Sequence, residues 1–409
     1  MVKGPLAIVL SVLVDPRKDK GKQWAFKDLI STIVEGVLAD CQTLKDVERM
    51  TELEGRRVPH STMLDLLHKL DPRPLGEALV QQVKFLWRNK ALVPDGVPIG
   101  IIAIDNKDGK TLTHEGDVDC LRSDGSFRQR FLRACLVSAR SMPIIGQVFV
   151  PKSTNDLGAF PLLWAWLMEQ YKNIPMFELV TMDAGFAYKS VLSLIDASGI
   201  AYLVGVKENE KTLLYELRRL FLLLAPPCVA CTRDDPTPGG LITRELFRLD
   251  QSALRIPGWP HLRQAWLVRQ TTRFRSGREV VVDRHFITSL LWNRLTPEQI
   301  LVVVRRHWAI ENNCNKTLDQ VWHEDTHACA KNMKCLPNSA PLRVMAWFRA
   351  IAYNFLGWLK YVHLRGENRR LPWAFLRKMI WLIFVAPRVF TSEIMTNLLA
   401  ALEGIPRLA

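Results

Sequence analysis

The apolar residues between positions 97 and 206 form short runs that alternate with amphipathic segments, and this order limits the folds open to the chain. The runs "VPIGIIAIDNKDG", "SFRQRFLRACLVSAR" and "MPIIGQVFVPK" are predicted to be strands. They are followed by the helix "DLGAFPLLWAWLMEQYKN", capped by Asp156, the strand "FELVTMDAGF", the helix "AYKSVLSLIDASG" and the strand "IAYLVGVKEN". The first three strands can form an antiparallel meander, and the later strands can join the first in parallel.

This succession of three strands, helix, strand, helix and strand predicts a ribonuclease-H-like α/β fold with a mixed sheet. After a Leu-rich helix, "CVACTRDDPTPGG" is predicted to be a loop, and three alternating segments after it to be strands of a separate small sheet. A long helix then begins at "TPEQILVVVRRHWAIENNCNKTLDQV", with Thr296 as its cap and Pro297 at its first position.

Helices are predicted on both sides of this sheet. Residues 24–90 contain short helices joined by tight turns, which fit a helix-turn-helix-like DNA binder or an ordinary helical bundle equally well. Residues 340–400 also have a helical pattern, with Arg and Lys between many Trp, Phe and Leu residues. We therefore predict a helical DNA-binding region over 1–95, a catalytic domain over 96–330 with a β insertion at about 212–290, and a basic helical region over 331–409.

Two of the predicted strands end in an aspartate, Asp105 and Asp183, and the long helix carries Glu311. A lone Asp after a strand is usually a turn or cap residue. Two carboxylates at one sheet edge repel each other unless a cation lies between them. Their oxygen atoms suit Mg²⁺ or Mn²⁺. With Glu311, they would hold two ions about 3.5–4 Å apart, the arrangement that serves in-line displacement at phosphorus. Their order on these elements predicts a metal site built from all three.

Cationic and amide side chains surround Glu311 in the sequence. At helical spacing His307, Glu311 and Asn315 share a face, Lys316 lies beside it, and a basic pair precedes it. A carboxylate among such groups fits an ion-plus-phosphate site, whereas the alternative is a solvated helix with ordinary charge pairs. The candidate DNA-contacting residues are Arg305, Arg306, His307, Lys316, Lys107 and Lys207.

The charge of the chain favours a polyanionic partner. There are 55 Lys and Arg against 41 Asp and Glu, giving a net charge of +14 and a pI near 9.5. Residues 341–409 hold ten Lys and Arg against three Glu. Nucleic acid is the usual partner of such a surface, although a basic surface kept for solubility is the alternative. The helical C-terminal region accordingly has two interpretations, a plain core with its charges at the rim or a DNA-facing surface that includes Arg365, Arg369 and Arg370.

The cysteines and apolar segments indicate a cytosolic protein. Eight cysteines are scattered without a disulfide framework, and the opening apolar run lacks a small-residue cleavage site and passes directly into charged residues. The segment "MIWLIFVAP" at residues 379–387 is too short to span a bilayer. These features predict free thiols and no association with a membrane.

A competing metal motif overlaps the end of the long helix. His323-Glu324-Asp325-Thr326-His327 fits the zinc-protease pattern H-E-x-x-H, in which two His share one helical face. A third ligand is also needed, but residues 328 to 366 contain no Asp or Glu and His363 as their only His, so the protease interpretation is rejected. A structural zinc site stays open as an alternative, with the ligands His323, His327, Cys329 and Cys335, as does a lone C-x-x-C at Cys228 and Cys231.

Five stretches carry a resemblance to a known family: "AIDNKDGKTL", "LVSARSMPIIGQVFVPKSTND", "LVTMDAGFAYKSVLSLIDASGIAYLVGVKEN", "HWAIENNCNKTLDQVWHED" and "NSAPLRVMAWFRAIAYNFL". They occur in the family's order over roughly residues 100–360. The chain resembles the DDE transposases of bacterial insertion sequences, in the H-repeat-associated branch of the insertion-sequence-4-like superfamily. In addition, "DLISTIVEGVLADCQTLKDVER" is similar to the family's N-terminal helical segment.

The resemblance implies an enzyme that uses two Mg²⁺ or Mn²⁺ ions, held by Asp105, Asp183 and Glu311, to cut double-stranded DNA at transposon ends. The freed 3′-hydroxyl would then attack target DNA. It also implies a homodimer in a synaptic complex, located in the bacterial cytosol and nucleoid. The alternatives are a catalytically inactive, transposase-derived DNA-binding protein and a sequence-independent nuclease.

The chain departs from the family pattern at two places. Extra residues in "IDNKDGK" make Asp108 a competitor of Asp105. The Tyr-Arg-Glu-Lys signature of the wider superfamily is not matched around Glu311, because Val304, His307 and Leu318 stand at the Tyr, Arg and Lys places. In relatives the Tyr, Arg and Lys of this signature contact phosphate. The sequence therefore does not show which residues make those contacts in this chain.

Overall fold

The computed structural model describes residues 13–19, 22–110, 118–120, 125, 128–237, 239–254, 256–259, 261–325 and 341–389. Nine strands form one sheet in the order β3-β2-β1-β4-β5-β9-β8-β7-β6. Strands β1, β2 and β3 are antiparallel neighbours, whereas β4 lies parallel to both β1 and β5. The predicted meander and parallel additions are therefore confirmed. The strands are β1 (Ile101–Lys110), β2 (Arg128–Cys135), β3 (Ile144–Phe149), β4 (Leu179–Met182), β5 (Ala201–Val206), β6 (Cys228–Thr237), β7 (Gly240–Asp250), β8 (Gln264–Phe274) and β9 (Glu279–Thr288).

Strand β1 is longer than predicted. Asp105 was expected to end it, but the strand continues to Lys110. Its parallel pairing with β4 stops at Ile104, opposite Met182, while its antiparallel pairing with β2 runs on to the end. The second half of β1 is therefore paired only with β2. Asp105 lies inside β1, one residue beyond the end of its parallel pairing with β4.

The predicted loop and separate small sheet of the insertion were wrong. The segment "CVACTRDDPTPGG" contains β6, and β9 pairs antiparallel with β5, so the insertion extends the central sheet. Strand β6 is an edge strand with two register shifts, which tolerates Pro236. Most of its residues are exposed or half-buried, so it has no apolar pattern by which a strand could be predicted.

Helices cover both faces of the sheet. The helices are α1 (Phe26–Leu38), α2 (Leu44–Leu53), α3 (His60–Lys69), α4 (Arg73–Arg88), α5 (Asp156–Tyr171), α6 (Lys189–Asp196), α7 (Lys211–Leu224), α8 (Pro297–His307), α9 (Lys316–Trp322), α10 (Pro341–Trp358) and α11 (Trp373–Val389). One face packs against α5, α6 and α7 through Ile102, Ile104 and Val180. The opposite face, which includes Ile101 and Ala103, packs against α8, α9 and the helices of the two ends of the chain. Asp105 belongs to this second face because side chains alternate along a strand.

The helix that carries Glu311 is not one regular helix. Helix α8 begins as predicted, with Thr296 and Gln299 forming a reciprocal capping box. A π-helical turn, Ile310–Asn315, follows it and leads into α9. His323 then takes a left-handed backbone conformation and ends α9. In helix α5 the cap is Asn155, whose side chain accepts a hydrogen bond from the Gly158 backbone, rather than the predicted Asp156.

Helices are confirmed in the described parts of the two flanking regions, within residues 26–88 and 341–389, and they pack together. Residues 390–400, also predicted to be helical, lie outside the described residues. Gln82 on α4 donates a hydrogen bond to the carbonyl of Ile351 on α10, and Arg377 on α11 binds the side chain of Asp40. Apolar residues of α1–α3 and α10–α11 belong to one buried cluster. Within the part of the chain that the structure describes, no helix is both long and apolar enough to cross a membrane.

Candidate active site

Asp105 and Asp183 follow directly after paired residues of two parallel strands. Ile104 on β1 lies opposite Met182 on β4, so the two aspartates come next to each other at the point where the strands part. Asp183 also caps the short turn that follows β4, where its Oδ1 accepts a hydrogen bond from the Gly185 backbone N–H at 3.0 Å. The strand pairing thus brings the two residues to the same edge of the sheet, and their joint role at a metal site stays a prediction.

Glu311 lies over the same edge of the sheet. It is exposed on the π-helical turn and, with Asp105 and Asp183, lines an open cavity of about 650 Å³. Three carboxylates that are 78 and 128 residues apart in the chain are thus brought to one cavity. The rest of its lining is polar and consists of Asn106, Lys107, Asp108, Asn315, Lys316, Asp319, Gln320 and Asp325.

The electrostatics of the cavity favour a cation. The pKa of Asp105 is raised to about 7, first by burial and next by the negative charge of Glu311, with Asp183 contributing in the same direction. The backbone N–H of Asn106 partly opposes this rise. A carboxyl group with a raised pKa among other carboxylates is stabilised in its ionised form by a bound cation. The attraction to the cation lowers its pKa.

The donor atoms fit a hard divalent ion. Carboxylate and amide oxygens are the groups that Mg²⁺ and Mn²⁺ prefer. In the described ranges, however, no three His, Cys, Asp or Glu side chains lie close enough together to form a ready-made ion site. The residue types of the cavity nevertheless fit such an ion.

Polar contacts tie strand β1 to the helix that carries Glu311. The Asn315 side-chain amide donates to Asp105 Oδ2 at 3.5 Å, at the outer limit of a hydrogen bond. Two residues along β1, Lys107 forms a salt bridge with Asp319, one turn beyond Asn315. Positions 105 and 107 share a face of the strand, and positions 315 and 319 share a face of the helix.

An arginine buried within the sheet reaches the same helix. Arg133 on β2 is 0% exposed, and the strand pairing places it opposite Asp105. Its guanidinium donates to Gln147 at 3.1 Å, to Asn315 Oδ1 at 3.1 Å, and to both carboxylate oxygens of Glu324 at 3.0 and 3.2 Å. Burial favours the neutral form of Glu324, but nearby cations, Arg133 first among them, outweigh burial and lower the pKa of Glu324.

Three of the predicted DNA-contacting residues are exposed, and two of them line the cavity or the cleft next to it. Lys316 lies on its wall beside Glu311, and Lys207 lines an adjoining cleft that also includes Asp183. Arg305 is half-exposed and forms a salt bridge with Asp235 on β6 at 3.1 Å. Their role in binding DNA stays a prediction.

The other three lie in different surroundings. Arg306 donates hydrogen bonds to the backbone carbonyls of Ser138 and Asp95, so its guanidinium holds loops together. His307 is buried, and burial, with Lys207 nearby, lowers its pKa to about 4, so at pH 7 it has no charge to offer a phosphate. Lys107 also lies largely inside the protein, bound to Asp319.

Asp108, the competitor of Asp105, has a cationic partner of its own. Its two carboxylate oxygens accept hydrogen bonds from Arg130 on β2 at 2.6 and 3.0 Å. A carboxylate neutralised in this way has less need of a metal ion than Asp105 has. The geometry therefore favours Asp105 as the member of the carboxylate set on β1.

The rival zinc motifs have little geometric basis in the described residues. The helical turn that H-E-x-x-H requires is absent at its first residue, because His323 is left-handed, and Glu324 is bound by Arg133. His327, Cys329 and Cys335 lie outside the described residues. Cys228 and Cys231 are exposed on the edge strand β6.

The C-terminal arginines have mixed surroundings. Arg369 donates to the Leu364 carbonyl at 2.7 Å, and Arg370 forms an exposed salt bridge with Glu367. Arg365 is exposed. A DNA-facing role for this region stays a prediction.

Sequence reasoning missed Arg133 and Asp319 as parts of the site. A signal existed for Arg133, since an arginine in the middle of the apolar strand "FLRACL" must find a buried partner. Asp319 had a weaker signal, its position one helical turn after Asn315. Neither signal identifies the partner, because those partners are 14 to 212 residues away along the chain.

Comparisons with known proteins find a matching family model, a curated relative and a solved structure. A family model described as "Transposase DDE domain" matches residues 99–355, which include all three carboxylates of the cavity. The curated protein "Putative protein YbfL" of Escherichia coli (strain K12) is 22% identical over 341 residues, 77% of this chain and 82% of that protein. A cryo-EM structure of a piggyBac transposase synaptic complex with hairpin DNA aligns with 12% identity and a TM-score of 0.42, over 100% of this chain and 86% of that chain.

Proposed function

The chain belongs to the DDE transposase family, and from this membership we propose that it is a DNA transposase whose catalytic residues are Asp105, Asp183 and Glu311. The observation that carries the proposal is their convergence. Two aspartates from parallel strands and one glutamate from a helix line a single open cavity. They do so in a chain with a net charge of +14, which suits a DNA substrate.

The proposed cofactor is a pair of Mg²⁺ or Mn²⁺ ions, which these three carboxylates would hold. Members of the family generally use divalent metal ions. When bound, such ions activate an attacking oxygen and stabilise the leaving oxygen at phosphorus. The residues of this chain would hold and orient them: Asp105 from the rigid sheet, Asp183 from its hydrogen-bonded turn, and Glu311 from the exposed π-helical turn.

Phosphate positioning is assigned to exposed cations around the cavity. Lys316 lines the cavity with Glu311, and Lys207 lines the adjoining cleft with Asp183. Arg305 lies exposed near the end of α8 and precedes Glu311 in the chain. Their charges would bind the DNA backbone and give binding that weakens as salt rises. Arg306, His307 and Lys107 are left out of this set because their contacts and burial fit structural roles.

We further propose the finer assignments that the sequence predicts. The strand order β3-β2-β1-β4-β5 supports a ribonuclease-H-like core, with β6–β9 as its insertion. The resemblance in sequence supports the H-repeat-associated branch of the insertion-sequence-4-like superfamily. The division into regions 1–95, 96–330 and 331–409, a homodimer in the synaptic complex, and action in the bacterial cytosol and nucleoid are part of the same proposal.

One observation favours a second function, a DNA-binding protein without catalysis. The positions where relatives carry the signature Arg and Lys hold His307 and Leu318, and both side chains are buried. They contribute packing and no positive charge. A chain that has lost these phosphate contacts could still bind DNA through its other cations.

Cleavage of labelled duplexes tests the proposal. The substrate carries the terminal repeats that flank the reading frame, the control is a scrambled duplex, and Mn²⁺ is the cofactor. Wild-type protein should nick the end-containing duplex and join its 3′-hydroxyl to a target plasmid. Asp183→Asn should lower cleavage by on the order of 10³-fold or more, as loss of a central catalytic group does.

A matched control variant, together with the pattern of DNA binding and cleavage, distinguishes the proposed transposase from the two alternatives. Asp196→Asn removes an aspartate on α6, outside the cavity, and should cut as wild type does. Equal cleavage by Asp183→Asn and wild type would reject the enzymatic assignment. End-specific binding with no cleavage identifies the inactive DNA-binding protein, and cleavage of both duplexes without joining identifies a sequence-independent nuclease.

A further inference from the structure

Asp105 has a buried cation as its direct neighbour across the sheet. Arg133 lies opposite it on β2, is 0% exposed, and directs its hydrogen bonds to Gln147, Asn315 and Glu324. A buried arginine is costly unless its donors are satisfied. Because these contacts are needed to satisfy the buried guanidinium, they also hold the side chains of Gln147, Asn315 and Glu324 in place.

The contact between Arg133 and Asn315 determines which way the Asn315 amide faces. Arg133 is a donor only, so the atom of Asn315 that it binds must be the oxygen. The amide nitrogen is then directed to the other side, where it meets Asp105 Oδ2. A side-chain amide whose orientation is usually ambiguous is thus oriented by its partner.

The same arginine also fixes the end of the helix. Its paired bonds to Glu324, which is 4% exposed, attach the turn after α9 to β2. Between these points, the salt bridge of Lys107 with Asp319 holds α9 against β1. The segment that follows Glu311 is therefore attached to the sheet at three places, through Asn315, Asp319 and Glu324.

We propose that Arg133 and Asn315 are positioning residues for the metal site, with Arg133 orienting the Asn315 amide so that it holds the Asp105 carboxylate in place. This inference rests on the proposed function, and it assigns to Asn315 a role toward the ions rather than toward DNA. Partners that hydrogen-bond a metal-binding side chain typically change metal affinity by about 10–100-fold when removed. At 7% exposure, Asn315 has little surface to offer DNA.

The test measures Mn²⁺ affinity of the full chain by electron paramagnetic resonance, without DNA. Asn315→Leu keeps the volume and removes the amide, and it should weaken Mn²⁺ binding by about 10–100-fold. Cleavage of the end-containing duplex should then need a correspondingly higher Mn²⁺ concentration. At saturating Mn²⁺ the cleavage rate, and in EDTA the affinity for the duplex, should stay within about threefold of wild type.

Two further variants keep the test decisive. Asn313→Leu makes the same change on the same π-helical turn, at an exposed asparagine that faces Met142, and should bind Mn²⁺ as wild type does. Arg133→Lys keeps the charge beside Glu324 but lacks the fork that reaches two partners at once, so it should also weaken Mn²⁺ binding. If Asn315→Leu does not fold, this variant decides the matter.

Each outcome either supports or overturns the inference. Wild-type Mn²⁺ affinity in folded Asn315→Leu or Arg133→Lys overturns it while leaving the proposed function intact. A loss of DNA affinity with unchanged Mn²⁺ affinity also overturns it, because Asn315 would then act on the substrate. If wild-type protein binds no Mn²⁺, or binds it as well with Asp183→Asn, the proposed function itself fails and the inference falls with it.

Discussion

The protonation of Asp105 makes the stability of the metal-free chain depend on pH. Its folded pKa of about 7 lies above the value of about 3.9 expected in the unfolded chain. The folded chain therefore keeps a proton that the unfolded chain has lost, and stability falls as pH rises from about 4 to 7. Above pH 7 the full penalty is present.

Asp105→Asn should remove this penalty, because its side chain does not ionise. We expect the variant to be more stable than wild type at pH 8, with a gain that exceeds the gain at pH 5 by roughly 1–3 kcal/mol. Urea unfolding at both pH values, with EDTA present, measures the difference. A gain that is equal at pH 5 and 8 contradicts the assignment of a raised pKa to Asp105.

Added metal should reverse the order of the two proteins. Mn²⁺ binds the folded chain and lowers the pKa of Asp105, so wild type should be stabilised at pH 8. Asp105→Asn lacks this ligand charge and should be stabilised less. The midpoint of thermal unfolding, followed with and without Mn²⁺, shows the effect.

At the scale of single residues, the sequence predicts the carboxylates better than their partners. Asp105 and Asp183 could be paired from sequence because each follows an apolar strand, and parallel strands end at one sheet edge. Glu311 followed from its place on a helix. The partners Arg133 and Asp319 depend on contacts between distant segments, which no local pattern encodes.

The cap of α8 anchors the helix that leads to Glu311. The Thr296 hydroxyl accepts from the Gln299 backbone, and the Gln299 side chain accepts from the Thr296 backbone. These bonds satisfy two donors that a helix N-terminus otherwise leaves unpaired.

Thr296→Ala should destabilise the protein by roughly 0.5–2 kcal/mol, because it removes this cap. The change is far along α8 from the cavity, so cleavage of the end-containing duplex at 25 °C should stay within about twofold of wild type. Urea unfolding measures the loss. Ser193→Ala, which removes an exposed hydroxyl from the interior of α6, is the control and should change stability by less than about 0.5 kcal/mol.

At the scale of elements, the sequence predicted strands and helices with strong apolar patterns and missed those set by tertiary context. Strands β1–β5 are buried and were identified, although β1 runs five residues beyond Asp105 because β2 pairs with it. Strand β6 has no apolar pattern and was taken for a loop. The π-helical turn at Glu311 was predicted as regular helix, since one extra residue in a turn hardly changes the apolar period.

At the scale of the whole molecule, the insertion is part of the central sheet rather than an attached domain. Four residues of β9, His285 to Thr288, pair with β5. In this half, Ile287 belongs to the core shared with α5–α7, and Phe286 belongs to the core on the opposite face of the sheet. The other half of β9 extends away from this core, and Val281 there is 54% exposed. One half of β9 therefore packs in the core of the protein, and the other half lies outside that core.

This division predicts that two similar substitutions on one strand differ widely in their effect on stability. Ile287 is 0% exposed, and Ile287→Ala should destabilise the whole protein by roughly 2–5 kcal/mol through lost burial and a cavity. Val281→Ala, the matched control, should change stability by less than about 0.5 kcal/mol. Urea unfolding, followed by both tryptophan fluorescence and far-ultraviolet circular dichroism, should give one coincident transition that shifts only with Ile287→Ala. If the insertion were a separate small sheet, Ile287→Ala would instead produce an early, partial transition and leave the main one in place, because the central sheet would lose none of its own contacts.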